Sequence, residues 1–359
     1  MPRQVKVRGY TGADARLPCW FFSKDPGLME RLHSAQRLYA SDEPIKIGVS
    51  SCLLGAEVRF DGGHKRSDFL VDMLGSFVKF VPVCPEVEIG LGVPRATLRL
   101  VRDRNAPHMT RLVTNKTEID YTGKMNSYAE RRVVALGHED LSGYVLKKDS
   151  PSCGMERVRV YGASGMPTRD GSGLFAAALM RRYPSLPVEE EGRLSDPHLR
   201  ENFVERVFAY RRLRSFFSSQ WTLGGLVQFH TAHKLTLMAH APKAYSELGR
   251  FVANAKRLAR DKVSERYELV FMDALKKLAT TARHANVLHH MLGYLRPHLD
   301  RDSRDELVTL LDDYRHGFVP LAVPIALLRH YVRKFDIAYL CGQVYLEPHP
   351  KELMLRNHV

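Results

Sequence analysis

Three cysteines carry most of the chemical information in this sequence: Cys52, Cys84 and Cys153. A thiolate is a soft ligand, and three of them suit zinc or an iron–sulfur cluster. The spacings, 32 and then 69 residues, are too long for a local metal loop, so the fold must assemble any site they share. Unrelated core cysteines are the bland alternative, because free Cys is among the most buried side chains. The flanks favour a shared site. Ser50 and Ser51 precede Cys52, Glu86 follows Cys84 by two residues, and Ser150 and Ser152 precede Cys153. Gly and Pro beside each thiol permit tight turns whose backbone N–H groups can face sulfur. Three protein ligands leave an open position. Next to a carboxylate and a hydroxyl, that is the arrangement of a catalytic centre and not of a closed structural one.

Each cysteine follows an apolar run that reads as a strand: Ile45 to Val49 before Cys52, Phe77 to Val83 before Cys84, and Gly143 to Leu146 before Cys153. If these strands are parallel in one sheet, all three thiols fall at its carboxyl edge, where open α/β sheets bind ligands. Strands and helices alternate over residues 44–185. A hairpin joins Leu98–Val101 to Arg111–Val113. A long helix is predicted from Asp120 to Leu136, with Tyr128, Val133, Val134 and Leu136 facing inward. Residues 186–195 contain Pro187 and the run Glu189-Glu190-Glu191, which reads as a solvated link. From residue 196 to 359 the apolar spacing is helical, including one predicted helix from Thr222 to Met238. The expected architecture is an α/β N-terminal catalytic domain with a mainly parallel sheet, followed by an all-α helical domain. Residues 1–43 form an N-terminal extension with no readable role. Cys19 and Cys341 read as core cysteines without a partner motif.

The chain has 359 residues, enough for two domains, and a net charge of +14. From Arg193 onward there are 26 basic and 17 acidic residues, so the second half is the better candidate for a polyanion-facing surface. His230, His233 and Lys234 fall on one helical face, and Arg329, His330, Arg333 and Lys334 form a second basic strip. An RNA-facing stripe and a satisfied histidine cluster are both open readings of the first group. Phosphate contact and a solvated face are both open for the second. Without an HExxH pattern, a metal pair at His230 and His233 is disfavoured. No apolar run reaches the ~18 residues of a membrane span, and no signal-peptide h-region is present. With five irregularly spaced cysteines, the expected compartment is the reducing cytoplasm.

The stretches Ser51-Cys52-Leu53-Leu54-Gly55 with Val58-Arg59-Phe60-Asp61-Gly62, Cys84-Pro85-Glu86-Val87 with Gly90 to Arg95, and Leu146 to Gly154 resemble, in order, the motifs of the TudS family of thiouracil desulfidases. The resemblance implies a [4Fe-4S] cluster held by Cys52, Cys84 and Cys153, with one open iron that captures a thiocarbonyl sulfur. It implies Glu86 as general acid/base and Ser150 as the residue that positions the nucleophile. Ser51, Ser152 and Asp61 are expected near the substrate, although Asp61 suits a turn equally well.

Phe229 to Lys234, Tyr245 to Gly249, His284 to His290 and Pro348-His349-Pro350 resemble the YbgA-type helical domain. The fusion is similar to the RudS proteins, tRNA 4-thiouridine desulfidases. It implies tRNA as partner, with His230, His233, Lys234, Arg329, Arg333 and Lys334 as candidate contacts. The alternatives are a desulfidase of free thiouracil or thionucleosides, and an RNA-binding iron–sulfur redox sensor without turnover.

Overall fold

A computed structural model describes residues 44–102, 109–162 and 165–359. The N-terminal extension with Cys19 and the tip of the predicted hairpin lie outside the described residues. The strands in chain order are β1 (Ile45–Ser50), β2 (Val78–Val83), β3 (Leu98–Arg102), β4 (Thr110–Thr114), β5 (Leu141–Leu146), β6 (Val158–Tyr161), β7 (Pro167–Gly171) and β8 (Val188–Glu190). The helices are α1 (Pro85–Glu88), α2 (Thr122–Gly137), α3 (Leu174–Arg182), α4 (Pro197–Ser218), α5 (Leu223–Ala232), α6 (Lys234–His240), α7 (Pro242–Asn254), α8 (Arg260–Lys276), α9 (Thr281–Leu295), α10 (Arg301–His316), α11 (Ala322–Lys334) and α12 (Ala338–Cys341).

One sheet is wholly parallel, in the order β2-β1-β5-β8. Parallel strands are covered on both faces and so read as continuous apolar runs. Every residue of β5 is buried, as is β1 from Ile47 to Ser50. Gly48 lets the Tyr144 ring cross it, because a Cβ there would lie 2.2 Å from the ring. The second sheet, ordered β4-β3-β6-β7, is mixed and contains the predicted hairpin as β3 and β4.

Three sequence expectations are corrected. Val134 is 51% exposed. With Val133 and Leu136 turned to the core, the 3.6-residue pitch carries Val134 outward. The helix predicted from Thr222 to Met238 breaks at His233 into α5 and α6. There the His233 Nδ1 shares the Phe229 carbonyl at 2.8 Å with its own backbone N–H at 3.3 Å, and the ladder opens.

The third correction concerns residues 186–195, which are not a solvated link. They form edge strand β8 and a 3-10 turn, Arg193–Ser195. Glu189 and Glu190 are buried and Glu191 half-buried, and each carboxylate finds donors. Glu189 accepts from Arg193 at 2.6 Å and from Arg206 at 3.4 Å, and Glu190 accepts from the Met155 N–H at 2.7 Å. Glu191 takes the Lys147 ammonium and the Lys148 N–H.

Helix α4 starts where Asp196 caps the Leu199 N–H at 3.0 Å and Pro197 occupies the first turn. Thirteen of its 22 residues are buried, so it runs through the interior and not along a surface. Its Phe203, Val204 and Val207 join Ile47, Val49 and Val145 of the sheet and Leu353 and Leu355 of the C-terminal tail. Its Tyr210, Leu213 and Phe216 belong to a core reaching from Val83 and Tyr144 to Phe229 and Phe271. The sheet and the helices therefore share apolar cores. A further core around Leu235, Leu292 and Leu328 lies within the helical half.

Candidate active site

The chain leaves β1 toward β2 on one side and returns to β5 on the other, so the sheet's switch point lies between β1 and β5. That crevice is where such sheets bind ligands. Cys52 follows β1, Cys84 follows β2 and Cys153 follows β5, and all three line one cavity of about 410 Å³ at the carboxyl edge. The Ser50 hydroxyl accepts the Lys147 N–H at 3.0 Å and ties the ends of β1 and β5 together. Close packing shapes the third cysteine turn. A Cβ on Gly173 would lie 2.5 Å from the Ser152 carbonyl, and one on Gly154 2.8 Å from the Ser150 carbonyl oxygen.

Cys52 and Cys153 are 8% and 7% exposed, and Cys84 is half-buried. Burial pushes all three thiols up, Cys52 to about 11, with Lys147 and Arg59 pulling Cys52 part of the way back. Ionised together, they would repel one another, as the mutual influence of Cys52, Cys84 and Cys153 shows. A cationic group bound among them removes both penalties. Among the described residues, no three His, Cys, Asp or Glu side chains converge on a point that one metal ion could occupy. A tetrahedral zinc with bonds near ~2.3 Å needs thiolates about 3.8 Å apart. A cluster gives separate irons to separate cysteines, and three soft thiols around one cavity suit such a group.

Glu86 lies in the same cavity, in the first turn of α1. Its Oε2 accepts from Arg95 Nε at 2.9 Å and Nη2 at 2.8 Å, and its Oε1 accepts from the Ser152 hydroxyl at 3.0 Å. Oε1 keeps one lone pair for a further proton donor. Ser150 also lines the cavity. Its Oγ accepts the N–H groups of Ser152 at 3.2 Å and Cys153 at 3.0 Å. Both hydroxyl lone pairs are then engaged, and what Ser150 can still offer is its proton.

Of the other candidates, Ser51 lines the cavity. Ser152 is fully buried, is not among the lining residues and donates to Glu86, so the structure does not place it at a substrate. Asp61 is exposed and is not among the lining residues. It accepts the Gly63 N–H at 3.1 Å and faces Arg59 at 3.4 Å, which is the turn role. Sequence reasoning assigns no role to Arg95, Lys147 or Glu191: Arg95 meets Glu86 nine residues away, and Lys147 meets Glu191 across 44 residues.

The predicted RNA face of the histidines is a correction. His230 and His233 are 3% and 0% exposed. They sit among Phe229, Tyr267 and Phe271, with the His233 ring 4.2 Å from that of Phe229. Burial pushes His230 down to about 4 and His233 to about 3. Both are neutral at pH 7 and present no charge to a phosphate. Lys234 is half-buried beside them. Arg329, Arg333 and Lys334 do come together with His330 on α11, around a shallow concavity of about 470 Å³. There Arg329 and Arg333 both face Glu347, and Lys334 lies over the rings of Tyr331 and Phe335. Cys341 packs half-buried against the helical core. No helix among the described residues is long and apolar enough to cross a membrane.

Residues 47–191 match the family described as 2-thiouracil desulfurase. Residues 234–350 match a family described as a protein of unknown function, DUF1722. The uncharacterized protein YbgA of Escherichia coli (strain K12) is 35% identical over 153 residues, which is 42% of this chain and 90% of that protein. The uncharacterized protein YbbK of Bacillus subtilis (strain 168) is 30% identical over 151 residues, 41% of this chain and 97% of that protein. Among solved structures, the [4Fe-4S]-dependent thiouracil desulfidase TudS is 32% identical, covering 42% of this chain and 93% of that one, with a TM-score of 0.35. Through the segment that holds Cys52, Cys84, Glu86, Ser150 and Cys153, this chain belongs to the 2-thiouracil desulfurase family of carbon–sulfur-cleaving enzymes, joined here to a DUF1722 region.

Proposed function

We propose that the protein converts 4-thiouridine in tRNA to uridine and releases sulfide, using a [4Fe-4S] cluster held by Cys52, Cys84 and Cys153. One observation carries this reading: three thiols that follow three parallel strands, two of them buried and one half-buried, open into the same cavity as Glu86 and Ser150. When bound, the cluster supplies a soft Lewis acid at the iron without a protein ligand, which favours sulfur over oxygen.

The remaining work falls to side chains. Glu86 Oε1, the carboxylate oxygen with an open lone pair, takes a proton from the water that attacks the thiocarbonyl carbon. Ser150 Oγ, its lone pairs occupied, donates its proton as a hydrogen bond that orients that water or the ring. The net reaction exchanges C=S and water for C=O and hydrogen sulfide, with no change of oxidation state. The net charge of +14 and the cationic strip on α11 support a tRNA partner. A tRNA base would have to leave its stack to enter the cavity.

The test is anaerobic purification with iron and labile-sulfide analysis, then incubation with total tRNA and nucleoside analysis. The expected result is a brown protein that lowers 4-thiouridine and releases equimolar sulfide. A colourless protein with stoichiometric zinc would overturn the cluster. The matched family's description also favours a second reading, desulfurisation of free thiouracil. Turnover of the free base with unchanged tRNA 4-thiouridine would select it.

A further inference from the structure

The mixed sheet has an open face that the cysteine centre does not use. Leu100, Leu112, Val158 and Val160 turn to the core, so the side chains between them point the other way. That other face carries Arg111 on β4, Arg99 on β3, Arg159 on β6 and Arg169 on β7. Arg159 and Arg169 stand directly opposite each other across antiparallel strands. Leu100 pairs with Val160 in the parallel register of β3 and β6, so Arg99 and Arg159, each one residue earlier, are neighbours as well. Arg99, Arg159 and Arg169 thus make a row across three adjacent strands spaced about 4.8 Å apart.

Like charges directly opposite one another destabilise a sheet. At the sides of the row the cost is offset. Arg99 meets Glu118 at 2.9 Å and lies 5.5 Å from the Tyr161 ring centre, and Arg169 meets Asp149 at 3.3 Å. Arg111, on the neighbouring strand, meets Asp120 at 2.8 Å. Arg159, in the middle of the row, is exposed and forms no ion pair with another of the described residues. The face adjoins the cysteine cavity without lining it. Thr97 and Leu98, just before Arg99, line the cavity, as does Asp149, the partner of Arg169, but none of the four arginines does. A fixed row of guanidinium groups with an uncommitted one at its centre matches a chain of phosphates, because the guanidinium fork takes two phosphate oxygens at a time. A peptide added to a sheet pairs with the backbone of an edge strand, whereas a face offers side chains alone.

We infer that the open face of the mixed sheet is an RNA-docking surface, on which Arg159, with Arg169 beside it, holds the phosphate backbone. The inference rests on the proposed function for the identity of the RNA as tRNA, while docking itself is read by binding alone. It puts an RNA contact in the α/β half, where the charge balance of the sequence points to none. The anion supplies the countercharge that Arg159 lacks and relieves its repulsion with Arg169. Contacts of this kind are sequence-independent and screened by salt.

The test is fluorescence anisotropy of a labelled, unthiolated tRNA transcript with the full-length protein under argon, over about 50 to 200 mM salt. Arg159→Gln is expected to weaken binding about five- to tenfold and to lower the slope of log affinity against log salt by about 1. Arg159→Lys should keep the slope and most of the affinity, because the charge stays while the fork is lost. Arg159→Gln/Arg169→Gln should lower the slope by about 2. Without RNA, Arg159→Gln should melt at or above the midpoint of the unaltered protein, since a like-charge pair is relieved. Poly-uridylate should displace the transcript, and polyglutamate of equal charge should not. Unaltered affinity or slope in Arg159→Gln would overturn the inference, as would a lower midpoint, which makes the residue structural. Equal displacement by polyglutamate would assign an acidic protein partner and overturn RNA. The unthiolated transcript separates docking from chemistry. If it binds through Arg159 while thiolated tRNA releases no sulfide, docking stands and the desulfidase reading fails. If sulfide is released while tRNA affinity is indifferent to these substitutions, the desulfidase reading stands and docking on this face fails.

Discussion

Arg95 puts Nε and Nη2 on one oxygen of Glu86, and Ser152 puts its hydroxyl on the other. A lysine in place of Arg95 would keep the charge but lose the fork. Arg95→Lys is therefore expected to lower turnover about 10- to 100-fold with iron content unchanged. Glu86→Gln should lower it about 100-fold or more. Single-turnover sulfide release at matched iron loading checks both, and full turnover by Glu86→Gln would remove its acid/base role. The three cysteines are legible in the sequence because each follows an apolar run that reads as a strand, with a polar companion beside it. Arg95 is visible as a motif residue but not as the partner of Glu86, since their separation along the chain fits no helical or strand period. Ser152 reads as facing substrate because sequence does not say which of two neighbouring serines points inward.

At the level of elements, α5 and α6 show what a pattern leaves open. His230, His233 and Lys234 share a helical face in any reading, but whether that face meets water depends on packing partners far along the chain. Tyr267 and Phe271 of α8 close over it, and the histidines become core. Their pH effect follows. Burial holds the folded values at about 4 for His230 and about 3 for His233, below the unfolded value of about 6.5. The stabilisation is fully present above about pH 6.5 and is lost as pH falls through the folded values. The melting midpoint is expected to fall between about pH 6.5 and pH 4, less steeply in His230→Phe. A midpoint that is flat over that range, or a variant with an unchanged slope, would contradict the buried neutral state.

On the scale of the whole molecule, α4 is the shared part. The order of α/β first and helices second is legible from period alone. The boundary is not, because the Glu189-Glu190-Glu191 run looks solvated until its partners are known, and apart from Arg193 those lie 17 to 44 residues away. Ending the chain at residue 195 would strip Phe203, Val204 and Val207 from the sheet and expose a contiguous apolar surface. Such a chain is expected in the insoluble fraction, and a soluble fragment with a cooperative melt would show that the sheet half is independent. The glutamate run has a further consequence, for length. Successive strand residues point to opposite faces, so one inserted or deleted residue in β8 exchanges those faces. Glu189 reaches α4, Glu190 the turn after Cys153, and Glu191 the Lys147–Lys148 turn before it. A one-residue indel would misassign all three at once. The stretch that most resembles a convenient place for a tag, a protease site or a domain swap is thus one where the residue count is fixed.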